Sequence, residues 1–120
     1  MIFGGQDRLL QKHIFDERNI EMETLLDDLR KRPLPLIGKK SLDRLTACLS
    51  GYIYCIYEKE GRVLEVLPGF QEFVERHYNL HNNIYVFRHW TDIICFFTAT
   101  EEDAFDEFYK LLDEFETQRG

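Results

Sequence analysis

No apolar run in the sequence is long enough to cross a membrane. The longest, Gly51–Tyr57 and Ile93–Ala99, fall far short of the roughly 20 residues a spanning helix needs. Cysteine is scarce and odd in number: Cys48, Cys55 and Cys95 each lie in an apolar stretch. That pattern suits buried free thiols in a reducing compartment better than a disulfide framework. The opening residues, Met1-Ile2-Phe3-Gly4-Gly5-Gln6-Asp7-Arg8, lack a basic stretch leading into an apolar one. No secretory signal is therefore expected, and the expected location is cytoplasmic. Phosphate-cradling glycine loops are missing as well. Gly4-Gly5 falls within residues 1–13, expected to be a flexible end, while Gly61 and Gly69 stand alone. Repeats, low-complexity segments and linkers are absent.

What is present is enough for one core. A chain of 120 residues fits one domain, since domains cluster at roughly 100–150 residues. Aromatic content of 14% argues against disorder. The net charge of −7 is unevenly placed. Thr100–Gly120 holds Glu101, Glu102, Asp103, Asp106, Glu107, Asp113, Glu114 and Glu116 against Lys110 and Arg119 only. Such a surface repels phosphate backbones, which disfavours direct nucleic-acid binding. It attracts a basic partner instead. A solvated helix face that keeps the protein soluble accounts for the same acids equally well.

Helical spacing dominates the chain. Met22, Leu25, Leu26 and Leu29 form one stripe on a helix that starts near Phe15 and stops near Arg32, ahead of Pro33 and Pro35. Pro33–Lys40 is expected as an extended loop containing Gly38. Ser41 is an N-cap for a second helix with Leu42, Leu45, Leu49, Tyr52 and Ile56 on one face. Gly51 costs that helix roughly 1 kcal/mol against alanine and suggests close approach of another element. Tyr52–Tyr57 is also rich in strand formers, and Lys59–Arg62 could turn it into Val63–Leu67 as a hairpin. Helix to about Tyr57 is favoured. Phe70, Phe73, Val74, His77 and Tyr78 make a third stripe, ended by Asn79. Phe87, Trp90, Ile94 and Phe97 suggest a fourth helix, buried on more than one side because Ile93, Cys95 and Phe96 are apolar too. Thr100-Glu101-Glu102-Asp103 is a capping-box pattern, followed by Phe105, Phe108, Leu112 and Phe115 pointing inward. The expected fold is mostly α: a single-domain bundle of about five helices over residues 1–120, with a short β-hairpin around 52–67 as the open alternative.

Motifs for chemistry are few. His77 and His81 are four apart, but no glutamate occupies the place a metalloprotease frame requires. They read more simply as polar groups at element ends, and no metal or cofactor is expected. Cys95 with His89 or His77 could in principle make a nucleophile and base. Its apolar setting raises the thiol pKa and blunts reactivity. The acids of the last helix lack the asymmetric environments that acid–base pairs need. Arg30-Lys31-Arg32 ends a helix, where cations complement the dipole. The balance favours a binding module over an enzyme.

Three stretches carry a resemblance: Leu29-Arg30-Lys31-Arg32-Pro33, then Leu36–Leu45 with Gly38 and Ser41, then Ser50-Gly51-Tyr52. Together they resemble the opening of a group of small bacterial immunity proteins. In that group a helix ends in Arg-Pro, a short loop carries glycine, and a serine-capped helix runs into Gly-Tyr. Phe70–Val74, the Trp90 segment and Glu102–Phe115 follow in the group's order, so the resemblance spans about Asp28 to Phe115. Pro33-Leu34-Pro35-Leu36 replaces the group's usual Pro-Gly-aromatic step. The resemblance implies cytoplasmic residence and a tight one-to-one complex with the C-terminal toxin domain of a contact-dependent growth inhibition effector or related polymorphic toxin, often a nuclease.

Nuclease clefts are basic because they hold a polyanion, so an acidic helix face can cover one. On that expectation the electrostatic surface is Glu101, Glu102, Asp103, Asp106, Glu107, Asp113 and Glu114. Tyr85 of the Asn82–Phe87 loop is the favoured exposed ring, with Tyr52–Tyr57 as a second source of anchors. No membrane or nucleic-acid partner is expected, and a monomer is favoured over a homo-oligomer. The competing expectation is a helical adaptor or homodimer that uses Tyr52–Tyr57 as its self-interface.

Overall fold

A computed structural model of the chain describes residues 20–80 and 89–119. The helix start near Phe15, the flexible end 1–13, His81, Tyr85 and Phe87 lie outside the described residues. Within them the protein is mostly helical, and no strand occurs. Helix α1 spans Ile20–Lys31 and buries Met22, Leu26 and Leu29 on the expected stripe. Glu21 and Glu23 open it, and Arg30 and Lys31 close it, each placed favourably for the helix dipole.

The segment expected as an extended loop contains a short helix instead, α2, Pro33–Ile37. Both prolines fall in its first turn, where the backbone N–H has no helical partner to lose and a fixed φ suits the helix. Gly38 closes it with φ of 89° and donates its N–H to the Leu34 carbonyl at 2.9 Å. The left-handed φ disfavours any other residue there, and a Cβ would also push aside the Arg44 guanidinium, whose Nη1 lies 2.5 Å from its position. That guanidinium donates to the Ile37 carbonyl at 2.8 Å.

Helix α3 runs Leu42–Glu60. The Ser41 hydroxyl caps it, accepting from the Arg44 N–H at 3.2 Å, and Leu42, Leu45, Leu49 and Ile56 are buried. The hairpin around 52–67 does not form. Ile56 extends the buried stripe past Gly51, and Gly61, with φ of 71°, is a left-handed helix cap that accepts the chain's exit rather than a hairpin turn. Beyond it Leu64 and Leu67 return to the core while Val63 stays exposed. Gly51 is also not a point of close approach, since a Cβ there would meet nothing within 4 Å.

Helix α4, Phe70–His77, starts at Gly69 and gives way to Asn79 in a left-handed conformation. Helix α5, Trp90–Phe96, is capped by His89, whose Nδ1 accepts from the Thr91 N–H at 3.2 Å. Helix α6 covers Glu101–Arg119, and the Thr100 hydroxyl accepts from the Asp103 N–H at 3.0 Å.

The core gathers around Phe70, which is fully buried. Its ring meets Trp90, Phe108 and Phe115 edge-on at centroid distances of 5.1, 5.7 and 5.3 Å, the arrangement aromatic quadrupoles prefer. Helices α4, α5 and α6 are thereby joined. The Gln71 side chain accepts the Trp90 N–H at 2.8 Å, and the Thr46 and Thr91 hydroxyls link α3 to α5 at 3.0 Å. Tyr109 of α6 donates to the Leu26 carbonyl of α1 at 2.6 Å. No buried side-chain polar atom among the described residues lacks a partner.

Candidate interaction surface

Helix α6 has a wide buried face: Ala104, Phe105, Phe108, Tyr109, Leu111, Leu112 and Phe115 all point inward. Its acids are left to the remaining arc. With about 100° per residue, that arc has two edges. Glu102, Asp106 and Asp113 share one of them; Asp103, Glu107 and Glu114 share the other, with Lys110 between.

The two edges differ in their counter-ions. On the first, Asp106 pairs with Lys40 at 2.7 Å, and Glu102 lies 3.9 Å from the same ammonium. Asp113 holds the Arg30 guanidinium in a two-pronged pair at 2.9 and 2.7 Å. At the helix start, Glu101 pairs with Lys39 at 2.9 Å. Hydrogen bonding to Arg30 holds the Asp113 carboxyl below the usual carboxylate range. The Lys39 ammonium does the same for Glu101. The three cations come from α1 and from the loop between α2 and α3.

No lysine or arginine among the described residues pairs with the second edge. Asp103 and Glu114 form no ion pair among the described residues. Glu107 is half-buried against the end of α4, accepting from the Tyr78 hydroxyl at 3.4 Å and lying 3.9 Å from His77 Nε2. Burial, together with the Glu107 charge, pushes the Tyr78 phenol up to about 12. The seven acids expected to form one surface are therefore split, four of them on or beside the edge that carries bound cations. Tyr85 lies outside the described residues.

Beside the second edge is an aromatic cluster. Phe97, the C-cap of α5, lies flat on the Tyr78 ring at 4.3 Å and 5°. Phe96 stands edge-on to Phe97 at 5.0 Å and is 80% exposed, Phe97 47%. Both were expected inside the bundle. Helix α5 ends at Phe96, and Trp90, Ile93 and Ile94 already fill its inward side. Phe96 therefore points away from the core, and Phe97 begins the exit. Spacing alone did not exclude Phe96, which lies three residues after Ile93; at about 100° per residue it sits well round the helix from Trp90, Ile94 and Phe97.

The other candidates are also placed. Cys55 is exposed, not buried as expected, because it falls on the outer side of α3; Cys48 and Cys95 are half-buried. Burial pushes the Cys95 thiol up. No group of three or more His, Cys, Asp and Glu among the described residues could hold a metal ion, and no described helix is long and apolar enough to cross a membrane. Tyr54 and Tyr57 project from α3 into solvent. An open groove of about 520 Å³ lies between α2 and the start of α6, floored by Pro33, Leu34 and Pro35 and rimmed by Lys31, Arg32, Lys39, Lys40 and Glu102. Its cations are shared with acids of the chain itself. No family model, curated protein or solved structure matches the chain.

Proposed function

We propose that this chain is an immunity protein, which binds the C-terminal domain of a cognate bacterial toxin and neutralises it by covering the substrate cleft of a basic nuclease. The observation that carries this reading is the outward arc of α6. It presents carboxylates on a helix fixed by seven buried side chains, next to exposed phenylalanine rings. Carboxylates speed encounter with a cationic surface, and buried aromatic anchors supply affinity. The resemblance of Asp28–Phe115 to small bacterial immunity proteins supports the same assignment. A complex of this kind buries roughly 1,200–2,000 Å² in total, and it acts in the cytoplasm as a one-to-one assembly without cofactor or catalysis.

Co-expression with the toxin domain encoded immediately upstream tests the proposal. Growth is expected to be restored; killing at full strength with the protein present would end it. A homodimeric adaptor is a second reading, favoured by the exposed Tyr54 and Tyr57 on α3 and Val63 just beyond its end. Mass in solution separates the two, since a strict monomer at micromolar concentration removes the homodimer.

A further inference from the structure

We infer that the partner is met along one edge of α6, formed by Asp103, Glu107 and Glu114 with Tyr78, Phe96 and Phe97, and that the partner surface it fits is rich in arginine. The inference rests on the preceding section in one respect, that the occupant is a protein.

Charge pairing decides between the edges. An incoming cation at Asp106 or Asp113 must displace Lys40 or the doubly bonded Arg30, so one ion pair is exchanged for another. At Asp103 and Glu114 nothing is displaced, and the gain is new. Glu107 gives up a long hydrogen bond from Tyr78 and a 3.9 Å approach to His77 Nε2.

The rings specify which cation. Phe96 exposes most of its surface. The stack of Phe97 on Tyr78 leads directly to the Glu107 carboxylate through the Tyr78 hydroxyl. A ring and a carboxylate thus adjoin at Tyr78 and Glu107, with Phe97 and then Phe96 following on from that ring. A guanidinium is planar and weakly hydrated. It can stack on a ring while forking to a carboxylate, which an ammonium cannot match. The chain already uses the same combination internally, where Arg30 lies 5.1 Å over the Tyr109 ring while bonded to Asp113.

Two measurements test this on the full-length protein. In the first, amide and aromatic NMR shifts are followed during titration with a short synthetic peptide of alternating arginine and alanine, then with its lysine counterpart. Shifts are expected at Phe96, Phe97, Tyr78, Asp103 and Glu107, with arginine binding at least about threefold tighter than lysine. Shifts centred on Asp106 and Asp113, equal affinity for the two peptides, or no binding would overturn the inference. In the second, the inactivated upstream toxin domain is the probe. Phe96→Ser and Glu107→Gln are expected to weaken binding about tenfold or more, and Asp106→Asn less than about twofold. Phe96 is exposed, so its variant tests contact rather than folding. If the toxin domain binds all variants alike, the edge is wrong and the immunity function stands. If the peptide maps to the edge while the toxin domain does not bind at all, the edge stands and the toxin assignment falls.

Discussion

Tyr109 couples two kinds of interaction at a single position. Its hydroxyl donates to the Leu26 carbonyl in a buried contact at 2.6 Å, and its ring supports the Arg30 guanidinium at 5.1 Å. Burial pushes the phenol well above its ordinary value, so the group is a neutral donor at any ordinary pH. Tyr109→Phe keeps the ring and removes the donor. Leu26 retains its helical N–H partner, so the expected loss is about 1 kcal/mol, read as a lower urea midpoint with an unchanged slope. A shift of the midpoint indistinguishable from zero would mean that the hydroxyl contributes nothing to holding α1. The contact was not legible in the sequence. Tyr109 follows Phe108 in an aromatic run, and no spacing rule says which α1 carbonyl faces it.

The helices show where sequence patterns suffice and where they fail. Helices α1, α3, α4 and α6 follow stripes at three and four residues, and the caps at Ser41 and Thr100 lie where hydroxyl and first-turn acids placed them. Helix α2 escaped because its prolines were weighed as breakers, although in a first turn they cost no hydrogen bond. Strand propensity in Tyr52–Tyr57 lost to the tertiary packing of Ile56, as propensity generally does. The uneven pairing of the acids on α6 was invisible for a different reason. It depends on Arg30, Lys39 and Lys40, which reach α6 only when the chain has folded. Gly51 is the glycine inside a helix among the described residues, and it meets no steric need, since a Cβ there meets open space. Gly51→Ala is expected to stabilise the protein by roughly 0.5–1 kcal/mol, visible as a higher urea midpoint. A destabilised variant would show that the site is occupied in solution by something that needs the missing side chain.

At the scale of the whole molecule, stability converges on Phe70, whose ring joins α4 to α5 and α6. Phe70→Ala is expected to cost about 3–5 kcal/mol, a large share of the roughly 5–15 kcal/mol that holds a domain together. Loss of most of the near-ultraviolet circular dichroism together with a collapsed denaturation midpoint would register it. A cost under about 1 kcal/mol would place the centre of the core elsewhere. The same packing fixes the rotation of α6 about its own axis, because seven of its side chains point inward. Its neutralised edge and the edge without lysine or arginine partners among the described residues are consequently held on two flanks of the outward arc, so the charge around this helix is uneven. In about 0.1 M salt, where screening sets in beyond about 10 Å, only a cationic surface already close to the helix senses the difference between the two flanks. Such a surface is drawn more strongly to the flank of Asp103, Glu107 and Glu114 than to the one whose carboxylates already hold Arg30 and Lys40.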